Sequence, residues 1–395
     1  MRISALHAVG LSLTLVACDD GGQSPSGSST TSSGAGSTTS ASSSSSTGTG
    51  SGTGGGGGGT NVPVCEGFPT PAMPLISRGA PAFASDGGDP SASNDENPAS
   101  QWSSNALPAW LAYDLSGVPL SERGQVLVSW YAIHAGCYID EAPSAGEARP
   151  ISYVIEANAA PGGATAPVDG WTPLVSVVGS AYCGRQHLLD LAGRNWIRMR
   201  VTEGTDPSTV GFDLDVQSAP TCASDAWLFM GDSITYMSLT HAFCDLPALV
   251  EAASPGHFPA VLDAAIGGTS TASAVSVIDK TIADFPGRFV VLAYGTNDHA
   301  NDFHMEELVA KVLAAGKTPV VPRMPWSQGS PEGQQINALI DALYVAHPEI
   351  VRGPDLWAVF EGRTDLIPAG DVHPNAAGQE ELRKAWAQAM VKLYE

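Results

Sequence analysis

Near residue 225 the hydrophobic pattern of this 395-residue chain changes period, and few architectures satisfy both halves at once. Before that point, short alternating or wholly apolar segments recur at residues 110–115, 125–133, 151–156, 174–178, 187–191, 195–201 and 211–216, separated by Gly, Pro, Asn and Asp turns. Strands at this density, with almost no helical period, predict an all-β sandwich or jelly roll. Beyond it, apolar runs at 226–230, 260–266, 289–294 and 319–322, and a weaker one at 350–356, alternate with helical stretches. The helices are expected at 305–315, 332–346 and 377–393, where apolar residues recur at three- and four-residue spacing. Gly316 ends the first and Pro348 closes the second. Strand–helix alternation predicts a parallel sheet covered on both faces, an α/β domain. The connector, residues 218–224, is short and contains Pro220 and Cys222, so the two domains are expected to pack together.

The 40 acidic and 18 basic side chains give a formal charge of -22, which argues against binding nucleic acid or an anionic membrane surface by charge. The amino-terminal residues read as an export signal: Arg2, then an apolar run from 3 to 17, too short for a secure membrane span. The run ends in Leu15-Val-Ala-Cys18, which resembles the lipobox of bacterial lipoproteins. That resemblance implies cleavage before Cys18, lipidation of Cys18, and a place at the bacterial cell envelope with membrane contact only through the lipidated end. An ordinary secretory signal with an incidental cysteine is the alternative. From 21 to 60 the chain is almost entirely Ser, Thr and Gly, a composition that cannot offset the entropy of ordering. Such a tether spans about 35 Å root-mean-square. The expected organisation is thus a signal and lipobox over 1–18, a linker over 19–64, a sandwich over 65–217 and an α/β domain over 224–395.

Besides Cys18 there are five cysteines, at 65, 137, 183, 222 and 244. Export makes disulfides plausible, and the odd number leaves at least one thiol over. Pairs within each domain are expected, Cys137–Cys183 and Cys222–Cys244. No Cys-x-x-Cys or Cys/His spacing suggests structural zinc, and no metal or cofactor is expected.

Within the β half, Ala84-Ser-Asp-Gly, Gln101-Trp102 and Pro108-Ala-Trp-Leu-Ala-Tyr-Asp-Leu115 resemble the opening of the galactose-binding-like (discoidin-type) domain family. Members often bind sugars or phospholipid headgroups, although the fold alone guarantees neither. Trp110, Trp130 and Trp196 lie inside strand patterns and are expected in the core. Trp102 and Trp171 lie nearer turns and are more open candidates for sugar stacking.

The chemistry-bearing segments all fall after residue 225. A serine hydroxyl needs a base to take its proton, and the oxyanion made by its attack needs fixed donors. Gly231-Asp-Ser-Ile-Thr235 places Ser233 at the end of an apolar strand, where open α/β sheets bind ligands. Gly267-Gly268 permits close backbone approach, and Gly295-Thr-Asn-Asp298 offers an Asn297 amide. Asp371-Val-His373 supplies a base and a carboxylate to orient it. Gly-Asp-Ser by itself means little, and Asp-Val-His-Pro is more often a helix start; the four together, in order, carry the inference.

These four segments resemble blocks I, II, III and V of the SGNH (GDSL) hydrolases, esterases and lipases of flavodoxin-like α/β/α fold. The resemblance implies Ser233 as nucleophile and first oxyanion donor, Gly268 and Asn297 as the other donors, and His373 as base. The family usually places its aspartate three residues before the histidine; Asp371 stands two before. Residues i and i+2 of an extended segment face the same way, so the pairing is feasible. Asp365 and a Ser-His dyad are the alternatives. Asp232 and Asp298 are expected to brace loops by accepting backbone hydrogen bonds, and His299, Asp302 and His304 are not spaced on one helix face. Trp326 is a candidate for lining the acyl or sugar pocket, with core packing as the other reading. The expected protein is an exported serine esterase acting on an acylated, above all acetylated, carbohydrate or another small ester. An inert carbohydrate-binding lipoprotein and a lipase or thioesterase are the alternatives.

Overall fold

The computed structural model describes residues 65, 67–96, 100–132, 148–239 and 246–395. Cys18, Cys137, Cys244 and the tether lie outside them. The β half contributes β1 (Ala82–Ala84), β2 (Trp102–Ser104), β3 (Ala109–Asp114), β4 (Gln125–Tyr131), β5 (Pro150–Asn158), β6 (Thr172–Val177), β7 (Gly184–Asp190), β8 (Trp196–Gly204) and β9 (Val210–Ser218). They form two antiparallel sheets, ordered β1-β3-β8-β5-β6 and β2-β9-β4-β7. The inner faces meet over one core that includes Tyr113, Ile155 and Met199 from the first sheet, and Val128, Trp130 and Phe212 from the second. This is the sandwich that the strand pattern predicts.

Two tryptophans exchange their expected roles. Trp102 is fully buried and packs edge-on against Phe212. It lies opposite Phe212 on β9, so the strand register aims it inward. Trp110 lies opposite Arg200 on the outer face, half-buried, with the Arg198 guanidinium over its ring. Alternation along β3 decides this: Leu111 and Tyr113 take the core positions.

The second half contributes, in order, β10 (Ala226–Gly231), α1 (Ser233–Leu239), α2 (Leu246–Ala253), β11 (Ala260–Asp263), α3 (Thr271–Ala283), β12 (Phe289–Ala293), α4 (Met305–Ala314), β13 (Thr318–Arg323), α5 (Gly333–Ala346), β14 (Val351–Asp355), α6 (Leu356–Phe360) and α7 (Ala376–Val391). All five strands are parallel, in the order β11-β10-β12-β13-β14. That is the flavodoxin-like order, with its switch point between the first and third strands. Strand β10 is buried along its whole length because alternate residues feed two cores. Leu228 and Met230 meet α3, α4 and α5 on one face, while Trp227 and Phe229 meet α2 and α7 on the other. Helix α3 is not apparent from propensity, being rich in Ser and β-branched residues. It forms because Ser270 caps its first turn and Ala274, Ile278 and Ile282 make a buried stripe.

The outer face of the second sandwich sheet is not solvated. Leu127 on β4 joins the core of the α/β half, while its neighbours Val126 and Val128 serve the sandwich. Burying such a leucine is worth about 1.5–3 kcal/mol. Gln217 donates to the Phe258 carbonyl at 2.7 Å, and Arg185 pairs with Asp284 at 2.6 Å across the same junction. The halves therefore share a dry, bonded contact.

The expected pair Cys222–Cys244 does not form: Cys222 bonds Cys65, with Cα atoms 5.8 Å apart. The segment after Cys65 is laid along the base of the parallel sheet, where the Thr70 N–H donates to the Leu393 carbonyl and Ser224 Oγ donates to the Pro71 carbonyl. That path brings Cys65 to the connector between the halves. Cys183 is also disulfide-bonded, to a cysteine outside the described residues.

Candidate active site

Four loops at the carboxyl edge of the parallel sheet converge next to β10. Its last residue, Gly231, has no room for a side chain: a Cβ would lie 2.8 Å from the Ala293 carbonyl and closer still to Thr235. The chain turns there and presents Ser233 as the first residue of α1, partly exposed. The Gly231 carbonyl then accepts from the Ile266 N–H at 3.0 Å and from Thr269 Oγ1 at 3.3 Å, which fixes the loop following β11. Gly268 in that loop has φ +77°, a backbone state natural to glycine, with open space where a Cβ would point. Asn297, in the turn after β12, donates from Nδ2 to the Thr269 carbonyl at 3.0 Å. The Gly268 and Asn297 turns are thereby bound together beside Ser233.

His373 comes from the loop before α7. Its Nε2 lies 2.9 Å from Ser233 Oγ. Its Nδ1 lies 3.1 Å from Asp371 Oδ1. A carboxylate only accepts, so Nδ1 carries the hydrogen; Nε2 of the neutral ring is then the acceptor facing the serine hydroxyl. Asp371 Oδ1 also accepts from the backbone N–H groups of Val372 at 2.7 Å and His373 at 3.0 Å. The His373 backbone N–H is the chief reason its carboxyl is held below the ordinary range, so it stays ionised. The two-residue spacing thus works because one oxygen serves two backbone donors and the ring. Asp365 faces elsewhere, engaged with Arg363 at 2.7 Å.

The neighbouring carboxylates brace loops. Asp232 accepts from the Ile234 N–H at 2.9 Å, and burial pushes its pKa up to about 6. Asp298 accepts from the Thr271 N–H at 2.9 Å and from the Thr271 hydroxyl, at the start of α3. His299 bonds Glu332 and His304 bonds Asp302, both at 2.9 Å. Among the described residues no group of three or more His, Cys, Asp or Glu side chains is arranged to hold a metal ion. Trp326 is half-buried and packs against the core that holds Trp227 and Trp386. A cavity of about 20 Å³ lies beneath the serine turn, lined by Asp232, Ile234, Thr296, Met324, Leu356 and Trp386, without Trp326.

Sequence reasoning overlooks Thr296 and Gly329. Thr296 bonds Asp232 through both its backbone N–H and its hydroxyl, and its place between Gly295 and Asn297 is the only signal for that role. A Cβ on Gly329 would lie 2.8 Å from the Asp371 carbonyl, so the loop after β13 backs the His373 loop. Nothing local in the sequence marks that long-range approach.

Residues 229–381, the stretch that holds all four loops, match the sequence profile of the GDSL-like Lipase/Acylhydrolase family. This stretch is a GDSL-like domain. Among solved structures, the GDSL-like domain is similar to Axe2, an acetylxylan esterase from Geobacillus stearothermophilus, at 17% identity and TM-score 0.37, over 43% of this chain and 95% of that one. A GDSL-like lipase from Bacteroides thetaiotaomicron VPI-5482 is similar at 17% identity and TM-score 0.35, over 42% of this chain and 88% of that one. A chitosan-binding module of a chitosanase/glucanase from Paenibacillus sp. IK-5 is similar at 16% identity and TM-score 0.27, over 36% and 97%. No curated protein sequence matches this chain.

Proposed function

We propose that this chain is an exported esterase that cleaves ester bonds through an acyl-Ser233 intermediate. The observation that carries the reading is the relay Ser233 Oγ–His373 Nε2 at 2.9 Å and His373 Nδ1–Asp371 Oδ1 at 3.1 Å, at the carboxyl edge of the sheet. His373 takes the Ser233 proton as Oγ attacks the ester carbonyl, and Asp371 stabilises the imidazolium. The oxyanion is met by the N–H groups of Ser233 and Gly268 and by Asn297 Nδ2. His373 then protonates the leaving alkoxide, and a water activated by the same ring releases the acyl group.

The substrate we propose is a short acyl group, above all acetyl, on a neutral or basic carbohydrate. The net charge of -22 disfavours strongly anionic polymers. Export and lipidation at Cys18 belong to the same proposal. The Cys65–Cys222 bond supports export, since such bonds persist in oxidising compartments. Hydrolysis of short-chain aryl esters by wild type and Ser233→Ala tests the chemistry, with a loss of about 10³-fold or more expected. Equal rates would sink it. Acetate release from a panel of acetylated polysaccharides tests the substrate.

A further inference from the structure

The hydroxyl of Ser233 and the amide of Asn297 come from turns after different strands, so some contact must set their separation. The ladder between β10 and β12 ends at the pair Gly231–Ala293, before either residue is reached. Past that point Asp232 takes over. Its carboxylate, 2% exposed, accepts from the Ile234 N–H at 2.9 Å on the serine turn, and from the N–H and hydroxyl of Thr296 on the asparagine turn. On its other side lies the cavity of about 20 Å³, room for about one water molecule. Close packing therefore does not hold the two turns at this spot. Hydrogen bonds to one carboxylate do.

We propose that Asp232 is a positioning residue for the esterase reaction, tying the Ser233 turn to the Asn297 turn so that nucleophile and oxyanion donor keep a fixed separation. The inference rests on the esterase reading above. All three bonds need acceptor oxygens. Protonation puts an O–H where Thr296 already directs donors, so at least one bond to the asparagine turn is lost. Burial is what pushes this carboxyl up to about 6, against the pull of the bonds from Ile234 and Thr296. The titratable groups facing it are Asp298, which also raises it, and Tyr294, itself deeply buried. From α6 and α7 it meets Leu356, Leu382 and Trp386 around the cavity. As pH falls through about 6 the turns are expected to loosen, in addition to any loss from protonating His373.

The test measures kcat and KM for an aryl acetate from about pH 4 to about pH 8 with the full chain. Asp232→Asn is expected to lower kcat by about 10- to 100-fold with KM changed by less than about 3-fold, as for an interaction used mainly in the transition state. Its acid limb should depend on one proton fewer than that of the wild type. Thr296→Val should lose about tenfold in kcat, and Thr296→Ser, which restores the hydroxyl, should recover most of it. If Asp232→Asn does not fold, the Thr296 pair decides alone: a slow valine variant and a recovered serine variant support the proposal, and equal rates overturn it. A folded Asp232→Asn enzyme with wild-type kcat and acid limb overturns it as well. Ser233→Ala, run beside these, separates the two claims. If it is inactive while Asp232→Asn is normal, only the positioning role fails; if it is as fast as wild type, the esterase reading falls and takes the positioning role with it.

Discussion

The two ends of β10 carry the same device put to opposite uses. Asp225 stands just before the strand and Asp232 just after it; both are buried, and burial pushes both up to about 6. Asp232 bonds backbone and hydroxyl donors of two mobile-length turns. Asp225 instead accepts from Trp227 Nε1 at 2.9 Å and Tyr394 OH at 2.8 Å, large side chains already locked in packing, and its Oδ2 has no partner. A buried carboxylate is costly at either end. At the carboxyl edge it orients loops that bear polar atoms toward an open site; at the amino edge it only joins the last residues of the chain to the sheet. The lesson is that burial and a raised pKa do not by themselves mark function, and that what the donors belong to does.

Changes at the two edges should therefore separate rate from stability. The largest effect is expected at the carboxyl edge: Asp371→Asn should lower kcat by about 10²-fold or more while an active-site serine probe still labels Ser233. A near-normal rate would favour a Ser-His dyad. At the amino edge, Cys222→Ser opens a disulfide whose cysteines are 157 residues apart, with a cost of about 3–5 kcal/mol in unfolding free energy. Its kcat should match the wild type; a comparable loss of rate would erase the distinction between the edges.

The smallest effect concerns Asp225. Its folded-state pKa of about 6 lies above the ordinary 3.8, so the native state binds the proton more tightly than the unfolded chain does. Stability from this group is complete below about pH 4 and is lost as pH rises through about 6. Asp225→Asn removes the charge and can keep both bonds to Oδ1. Relative to wild type it should gain on the order of 3 kcal/mol between pH 4 and pH 8. A difference that does not change with pH would refute this, whatever its sign.

Much of this was legible in the sequence because it was local. The runs at 226–230 and 289–294 are apolar on both faces, and only a buried parallel strand satisfies such a pattern, so β10 and β12 could be read directly. Ser233, Gly268, Asn297 and His373 stood out because each follows a strand end or precedes a helix. What escaped was set by tertiary contact. Helix α3 depends on a stripe packed against the sheet, and β1 and β2 are only three residues long. Trp102 is placed by its partner on β9, Cys65 by a path along the far edge of the sheet, and Thr296 by an aspartate 64 positions earlier.

The Cys65–Cys222 bond also decides how load enters the folded protein. A pull on the chain from the side of residue 64 reaches Cys65 and crosses at once to Cys222, four residues before β10. Without that crossing, tension would travel along the polypeptide to β1, a three-residue strand at the rim of its sheet, and could peel it strand-first like a zipper. With it, the force is delivered to the base of the parallel sheet, at the end remote from Ser233. The fastening acts as a strain relief, keeping traction on the amino-terminal stretch away from both the sandwich rim and the serine turn.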